Sequence, residues 1–158
     1  MLRPSKDEYY IRMARDVARR STCLRRQYGA VLVKDDVVVS TGYNGSARGE
    51  ENCCDAGACW RDSHDIPHGQ MYEKCQAVHG EMNAVINAAR AGVSTIGATL
   101  YLAGFENGKP LRNVQPCELC SRVIKNAGIA RVVTRWSEEP ERGKRVLINP
   151  IDDILADI

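Results

Sequence analysis

Two short segments of metal-binding side chains most constrain what this chain can fold into. His79-Gly80-Glu81 and Pro116-Cys117-Glu118-Leu119-Cys120 each stand at the start of a predicted helix. A CxxC pair at a helix N-terminus places two thiols on one side, where the helix dipole lowers their pKa. One imidazole from elsewhere completes three protein ligands, the number that a catalytic zinc ion takes while it keeps one position for water. The fold therefore has to bring two distant helix starts together.

Glu81 adds a proton carrier to this set. It lies two residues after His79, in the same first helical turn, and can reach a zinc-activated water without binding the metal. Alone, His79-Gly80-Glu81 could be a chance match around an inert core histidine, and the CxxC could be a redox pair or half of a zinc ribbon. Both motifs in this order, with a predicted strand between them, are the signature of the zinc-dependent nucleobase deaminases.

Length and composition exclude several other classes of protein. The chain has 158 residues, 44% of them hydrophobic, and a formal net charge of +2. This length fits a single domain, residues 1–158, that buries a core without disulfides. Near-neutral charge excludes a nucleic-acid binder driven by bulk charge, and no apolar run is long enough to span a membrane. The first residues carry charge without an apolar core, so we expect no secretory signal there and expect the seven cysteines in a reducing, cytoplasmic setting, where they bind metal.

Hydrophobic periodicity predicts an α/β domain. Helices are predicted over residues 5–21, 79–91, 117–127 and 151–157, and strands over residues 28–33, 37–41, 98–103, 129–134 and 145–148. Strands that alternate with helices after an initial hairpin predict one mixed sheet with helices on its faces. Residues 104–115 are expected to form a polar loop. Residues 44–78 lack periodicity, and a segment of this length needs another source of order. The expected core residues are Met13, Val17, Val31, Val33, Val39, Val85, Ile86, Leu100, Leu102, Val123, Ile124, Val132 and Val133.

Over roughly residues 8–135 the chain resembles the cytidine/deoxycytidylate deaminase superfamily, and within it the deoxycytidylate (dCMP) deaminase branch. Besides the two motifs, the resemblance rests on Arg20-Ser21-Thr22-Cys23, Gly29-Ala30-Val31, Thr41-Gly42-Tyr43-Asn44-Gly45-Ser46 and Asn126-Ala127-Gly128-Ile129. It implies a three-layer α/β/α cytidine-deaminase-like fold with a central mixed sheet of about five strands. It also implies zinc-dependent hydrolytic deamination of the cytosine ring of a free deoxynucleotide, with dCMP giving dUMP and ammonia.

The resemblance implies roles for individual residues. The ligands of the catalytic zinc would be His79, Cys117 and Cys120. Glu81 would carry the proton, Asn44 would contact the sugar, and the small residue Gly80 would let the pyrimidine approach the helix start. The family usually has alanine at position 80, and its strand runs almost directly into Pro-Cys. The longer segment 104–115 therefore leaves the exact nucleotide open.

The phosphate of such a substrate has to meet positive charge or backbone N–H groups. The candidates are Arg25, Arg26, Ser46, Arg48 and Arg112, and the sequence does not choose among them.

A second set of cysteines resembles the ligands of a structural zinc in some dCMP-type deaminases: Cys23, Cys53, Cys59 and Cys75. A closed thiolate site of this kind would order residues 44–78, because metal binding contributes directly to folding. Cys54 could replace Cys53, and His64 and His68 are competing ligands. The alternative is that these are loop thiols without a role.

Three other functions remain open from the sequence. The chain could deaminate another nucleoside or nucleotide. It could act on tRNA or single-stranded nucleic acid, although aromatic residues make up only 6% of it and strand binders use stacking platforms. It could also be a non-catalytic, zinc-stabilised binding protein. The resemblance further implies a symmetric homo-oligomer, a hexamer or a dimer.

Overall fold

The computed structural model describes residues 3–134 and the backbone of residues 148–150. The helices are α1 (Lys6–Ala18), α2 (Cys53–Ala56), α3 (Trp60–Ser63), α4 (Gly80–Arg90) and α5 (Glu118–Asn126), with a 3-10 helix at Tyr72–Lys74. The strands are β1 (Arg26–Lys34), β2 (Val37–Tyr43), β3 (Gly45–Ser46), β4 (Ala77–Val78), β5 (Thr99–Glu106), β6 (Lys109–Pro110), β7 (Arg131–Val133) and β8 (Ile148–Pro150). None of the helices in this part of the chain is long and apolar enough to cross a membrane.

The central sheet is mixed and follows the order β2-β1-β5-β7-β8, with the short β6 paired to β5. Strand β5 runs antiparallel to β1 and parallel to β7. Helix α1 packs on one face of the sheet, against β1 and β5, whereas α4 and α5 pack on the other face. The three-layer α/β/α fold with a mixed sheet that the sequence predicted is confirmed.

Side chains of β1 alternate between the two faces. Val31 and Val33 join the core under α1, whereas Ala30 and Leu32 join the core under α4 and α5. Of the expected core residues, those that are buried are Val31, Val33, Leu100, Leu102, Ile124, Val132 and Val133. The side chain of Ile86 is 46% exposed, so its placement in the core was wrong. Its position in the helical period puts it on the outer side of α4.

Helix α1 begins with the capping box that the sequence predicted. The Ser5 hydroxyl accepts from the Glu8 N–H, and the Glu8 carboxylate accepts from the Ser5 N–H. The C-terminal part of the same helix lies directly on β1. A Cβ built on Gly29 would lie 2.2 Å from the backbone nitrogen of Ala18. Only glycine allows this close approach between helix and strand.

The β1–β2 hairpin turns at Asp35 and Asp36, whose φ angles are +50° and +63°. Two successive residues with positive φ match the right-handed twist of a two-residue hairpin. The Asp36 carboxylate also pairs with Lys6 and accepts from the Tyr10 hydroxyl, so the turn is tied to α1.

The prediction of a polar loop over residues 104–115 was wrong in its first half. Strand β5 continues to Glu106, turns at Asn107-Gly108 and returns as β6. Arg26 of β1 pairs with Glu106 in the sheet register, so the hairpin extends the sheet toward the start of β1. The predicted helix at 151–157 and residues 145–147 of the predicted final strand lie outside the described residues.

Candidate metal centre and adjoining cavity

Three of the predicted ligands converge at the starts of α4 and α5. His79 is the N-cap residue of α4, Cys117 is the N-cap residue of α5, and Cys120 lies in the first turn of α5. The Nδ1 atom of His79 lies 3.4 Å from the Cys117 sulfur and 3.3 Å from the Cys120 sulfur. All three ligand atoms lie within 4.8 Å of one another. One imidazole and two sulfurs at this spacing fit a tetrahedral zinc ion that keeps one position open.

The positive ends of two helices stabilise negative charge at this centre. The Cys117 sulfur accepts from the backbone N–H of Cys120 at 3.5 Å. Hydrogen bonding from Cys120 and then from His79 holds the pKa of Cys117 well below the usual thiol range. The hydrogen bond with Cys117 also raises the pKa of His79. The site therefore supplies a thiolate, the form in which cysteine binds metal.

Glu81 is buried beside this centre without joining the three ligands. Glu81 is only 6% exposed, and burial raises the pKa of its carboxyl group. The carboxylate interacts with the Cys120 thiol and with the charge of His79, so it faces the ligand set. A carboxyl group in this position can take up a proton and release it to a reacting atom.

A cavity of about 860 Å³ opens over the centre. His79, Glu81 and Cys117 contribute to its wall, as do Gly80 and Asn44. This volume lies within the range of small-molecule sites in proteins. The structure therefore places the predicted catalytic residues at the wall of a cavity large enough for a nucleotide.

Asn44 lines the cavity and also braces the start of β1. Its Oδ1 accepts from the Tyr28 N–H at 2.7 Å and from the Ser21 hydroxyl at 2.7 Å. Its Nδ2 donates to the Arg26 carbonyl at 2.9 Å. One amide N–H has no assigned partner in these contacts, so the predicted sugar contact stays a prediction that the geometry permits.

The other two predicted substrate residues, Gly80 and Ser46, differ in their position relative to the cavity. Gly80 lines the cavity, and a Cβ at this position would lie 3.3 Å from the Tyr28 carbonyl oxygen. Ser46 lies in β3, where its hydroxyl accepts from Gln76 Nε2 at 3.2 Å, and it is not part of the described cavity wall. Its predicted role in substrate binding stays a prediction.

The structure separates the arginines that the sequence could not rank. Arg25 and Arg26 line the cavity. Arg48 instead donates to the Asn87 side chain at 2.7 Å on an exposed surface. Arg112 is not part of the described wall either.

The four cysteines of the second predicted set line one side of the same cavity: Cys23, Cys53, Cys59 and Cys75. All are free thiols. Burial and then the neighbouring Cys53, Cys75 and Cys59 raise the pKa of Cys23 to about 12. These groups are thus neighbours. Among the described residues, however, only the His79 set brings three donor atoms within 4.8 Å of one another.

The competing ligands of that second set lie apart from one another. Cys54 is exposed, and its thiol donates to Asp55. The His64 ring stacks on Trp60 with centroids 4.2 Å apart. His68 lies 2.8 Å from an Arg26 nitrogen, a surrounding that opposes cation binding.

Sequence reasoning missed Arg61 and Tyr72. Arg61 lies in the short helix α3, lines the cavity and is only 6% exposed. Its guanidinium carbon lies 4.8 Å from the centroid of the Tyr72 ring, and that ring meets His79 edge-on with centroids 4.9 Å apart. Neither residue belongs to a periodic pattern or a motif, so the sequence contained no local signal for them.

Comparisons with known proteins agree with this geometry. A family model described as the cytidine and deoxycytidylate deaminase zinc-binding region matches residues 4–135. The deoxycytidylate deaminase of Mycobacterium phage D29 is 40% identical over 138 residues, which cover 84% of this chain and 96% of that protein. The deoxycytidylate deaminase of Schizosaccharomyces pombe is 38% identical over 135 residues, which cover 85% of this chain but 38% of the yeast protein.

A solved structure shares the fold. The crystal structure of dCMP deaminase from the cyanophage S-TIM5 in apo form matches with a TM-score of 0.62 and 25% sequence identity. The match covers 85% of this chain and 85% of the cyanophage chain.

Proposed function

Because this chain belongs to the cytidine and deoxycytidylate deaminase family, we propose that it catalyses the zinc-dependent hydrolysis of dCMP to dUMP and ammonia. The observation that carries this proposal is the convergence of His79, Cys117 and Cys120 beside a buried Glu81 at the wall of one cavity. The names of the phage and yeast relatives support the substrate.

The residues of the centre have two roles in this reaction, metal binding and proton transfer. His79, Cys117 and Cys120 would hold the zinc ion. When bound, zinc supplies a water molecule whose pKa is lowered toward neutrality. Glu81 would take one proton of that water and deliver it to N3 of the cytosine, and would then take the second proton of the same water and deliver it to the amino group, which leaves as ammonia. Burial suits Glu81 to this work because it raises the pKa of the carboxyl group toward the working pH.

The cavity wall would orient the base and the sugar. Gly80 lines the cavity at the first turn of α4, so a flat ring would lie against its backbone. Asn44 is held rigidly by the β1 backbone, so a contact from its remaining N–H would fix the sugar without much loss of side-chain entropy.

Ammonia release from a small panel of substrates tests this proposal. The zinc-loaded chain is assayed with dCMP, CMP, deoxycytidine and dCTP, and with a cytosine-containing single-stranded oligonucleotide. We expect dCMP to give the highest kcat/KM. The proposal is overturned if no substrate releases ammonia, which would leave a zinc-stabilised binding protein. It is also overturned if the oligonucleotide is preferred and its binding weakens steeply with salt.

We further infer that Cys23, Cys53, Cys59 and Cys75 hold a structural zinc ion and so organise residues 44–78. Their shared position on one cavity wall supports this, as does the effect of the neighbouring thiols on the pKa of Cys23. Without a metal ion, four ionised thiols at these positions would repel one another. A bound zinc ion would attract all four and so stabilise the folded segment.

Two more properties belong to this proposal. Seven free thiols suit a reducing, cytoplasmic compartment. A homo-oligomer, either a hexamer or a dimer, is expected from the family resemblance. Measurement of the molar mass in solution by light scattering tests the second property, and a monomer at all concentrations would contradict it.

A further inference from the structure

Arg61 is a buried cation whose hydrogen bonds are incomplete. Its Nη2 donates to the carbonyls of Pro67 and Gln70, each at 2.7 Å. Its Nε is buried and has no hydrogen-bond partner among the described residues. No acidic side chain of that part of the chain forms an ion pair with it either. A buried charge without a counter-ion is costly, so this arrangement favours an anion in the cavity that Arg61 lines.

The neighbouring charges also leave this end of the cavity positive. His68 stands at the cavity wall, with its Nε2 2.8 Å from Nη1 of Arg26. Partial desolvation, followed by the charges of Arg26, Arg61 and Arg25, lowers the pKa of His68. The carboxylates nearby are already engaged, because Glu106 pairs with Arg26 at 2.7 Å and Asp62 pairs with Arg25 at 3.1 Å. Arg61 is the cation of this group that is left without a charge partner among the described residues.

Arg61 and the metal ligand His79 contact the same aromatic ring. The Tyr72 ring separates Arg61 from His79, since the guanidinium lies over its face and the imidazole meets it edge-on. Arg61 is therefore one aromatic ring removed from the metal ligand. A nucleotide with its base at the centre and its phosphate at Arg61 would have its sugar alongside the Tyr72 ring.

We propose that Arg61, together with Arg26 and His68, binds the phosphate of the nucleotide whose base reaches the His79 centre. This inference rests on the proposed function and names the residues that distinguish a nucleotide from a nucleoside. A phosphate monoester supplies the acceptors that the Arg61 guanidinium lacks, and arginine is suited to bind such oxygens in pairs. Arg26 is held in place by Glu106, so the β5–β6 hairpin positions the second cation.

The competing interpretation is that Arg61 only holds the loop from Pro67 to Gln70. Paired ligands that differ by the phosphate separate the two interpretations. The experiment measures kcat/KM for dCMP and for deoxycytidine, and calorimetric binding of dUMP and deoxyuridine, on the zinc-loaded chain. The variants are Arg61→Met and His68→Gln. The control is Arg48→Gln, because Arg48 lies outside the described cavity wall.

We expect Arg61→Met to lower kcat/KM for dCMP and the affinity for dUMP by about 10- to 100-fold, the usual effect of losing hydrogen bonds to a charged group. Deoxycytidine and deoxyuridine should stay within about twofold, because neither carries a phosphate. His68 is at an exposed position, so His68→Gln should fold normally and weaken dUMP binding roughly 3- to 10-fold. Arg48→Gln should change none of these ratios.

Equal losses for the phosphorylated and unphosphorylated ligands, or no loss for either, would overturn the phosphate site. If Arg61→Met does not fold, unchanged dUMP binding by His68→Gln would also overturn it. A wild-type chain that deaminates neither dCMP nor deoxycytidine would instead refute the proposed function. The two failures are thus distinguishable.

Discussion

At the scale of single residues, Glu81 is the buried acidic side chain of the metal centre. Its carboxyl group is buried beside two sulfurs and an imidazole, and burial raises its pKa. We expect Glu81→Gln to lower kcat by about 10²- to 10⁴-fold, because the amide cannot carry a proton. Zinc content measured by mass spectrometry should not change, since Glu81 is outside the ligand set. Loss of zinc from this variant would show that the carboxylate is a ligand.

The sequence predicted this centre well because its chemistry is local. His79, Glu81, Cys117 and Cys120 all lie at the starts of helices, so two short motifs specify which side of a helix each side chain occupies. Arg61 could not be predicted in the same way. Arg61 lies within residues 44–78, which lack periodicity. Only contacts within that segment, such as those to Pro67 and Gln70, fix the direction of the Arg61 side chain.

At the scale of elements, the contact of α4 with the sheet depends on Gly42. A Cβ at Gly42 would lie 2.2 Å from the Ala84 backbone nitrogen and 2.4 Å from the Gly80 carbonyl oxygen. We expect Gly42→Ala to reduce the free energy of unfolding by at least about 1–3 kcal/mol, because the helix has to move off the strand. Urea denaturation measures this change.

Gly80→Ala is the matched control for that variant. The nearest atom to its new Cβ would be 3.3 Å away, an approach that a small shift relieves. Alanine also favours a helix over glycine by up to about 1 kcal/mol. Gly80→Ala should therefore keep or increase stability. An equal loss of stability in both variants would contradict the packing argument.

The contact of α1 with the β1–β2 turn should give stability a specific pH dependence. Hydrogen bonds from Lys6 and then from Tyr10 lower the pKa of Asp36. The stabilising effect is therefore present above the unfolded-state pKa, about 3.9, and is lost as the pH falls through the lower folded-state pKa. The stability difference between wild type and Asp36→Asn should thus be constant near neutral pH and shrink in acid.

Denaturation curves at several pH values between about 7 and 3 measure this difference. Asp35→Asn is the control. It removes a charge from the same turn, and Asp35, like Asp36, has a positive φ angle. A difference for Asp36→Asn that does not vary with pH would show that its carboxylate contributes nothing through ionisation.

Sequence patterns predicted the elements that have a hydrophobic period and missed those that do not. Strands β1 and β5 and helices α4 and α5 appeared with small changes at their ends. The β5–β6 hairpin was missed because its residues near the turn are polar, although Asn107-Gly108 is a typical hairpin turn. The fragments α2, α3 and β3–β4 are too short to show a period, and contacts across the segment define them.

At the scale of the whole molecule, the second set of cysteines comes from two parts of the chain, the residues before β1 and the segment of residues 44–78. Cys23 precedes β1, whereas Cys53 and Cys75 lie at opposite ends of the segment from α2 to the 3-10 helix. We expect Cys75→Ser to reduce the zinc content from two ions to one and the melting temperature by at least about 5 °C. Activity should fall with it, because Cys75 and the metal centre share one cavity wall.

Cys54→Ser is the control for this prediction, because Cys54 is exposed and its thiol contacts only Asp55 among the assigned hydrogen bonds. It should keep both zinc ions and the melting temperature of the wild type. One zinc ion per chain in the wild type, with full stability and activity in Cys75→Ser, would refute the second site.

The two helices that carry His79, Cys117 and Cys120 are docked on the same face of the sheet, and their ligand atoms are already gathered. The spacing of the three donor atoms is therefore set by how α4 and α5 pack on the sheet. A substitution in that packing, even one far from the cavity, would weaken the affinity for the catalytic ion.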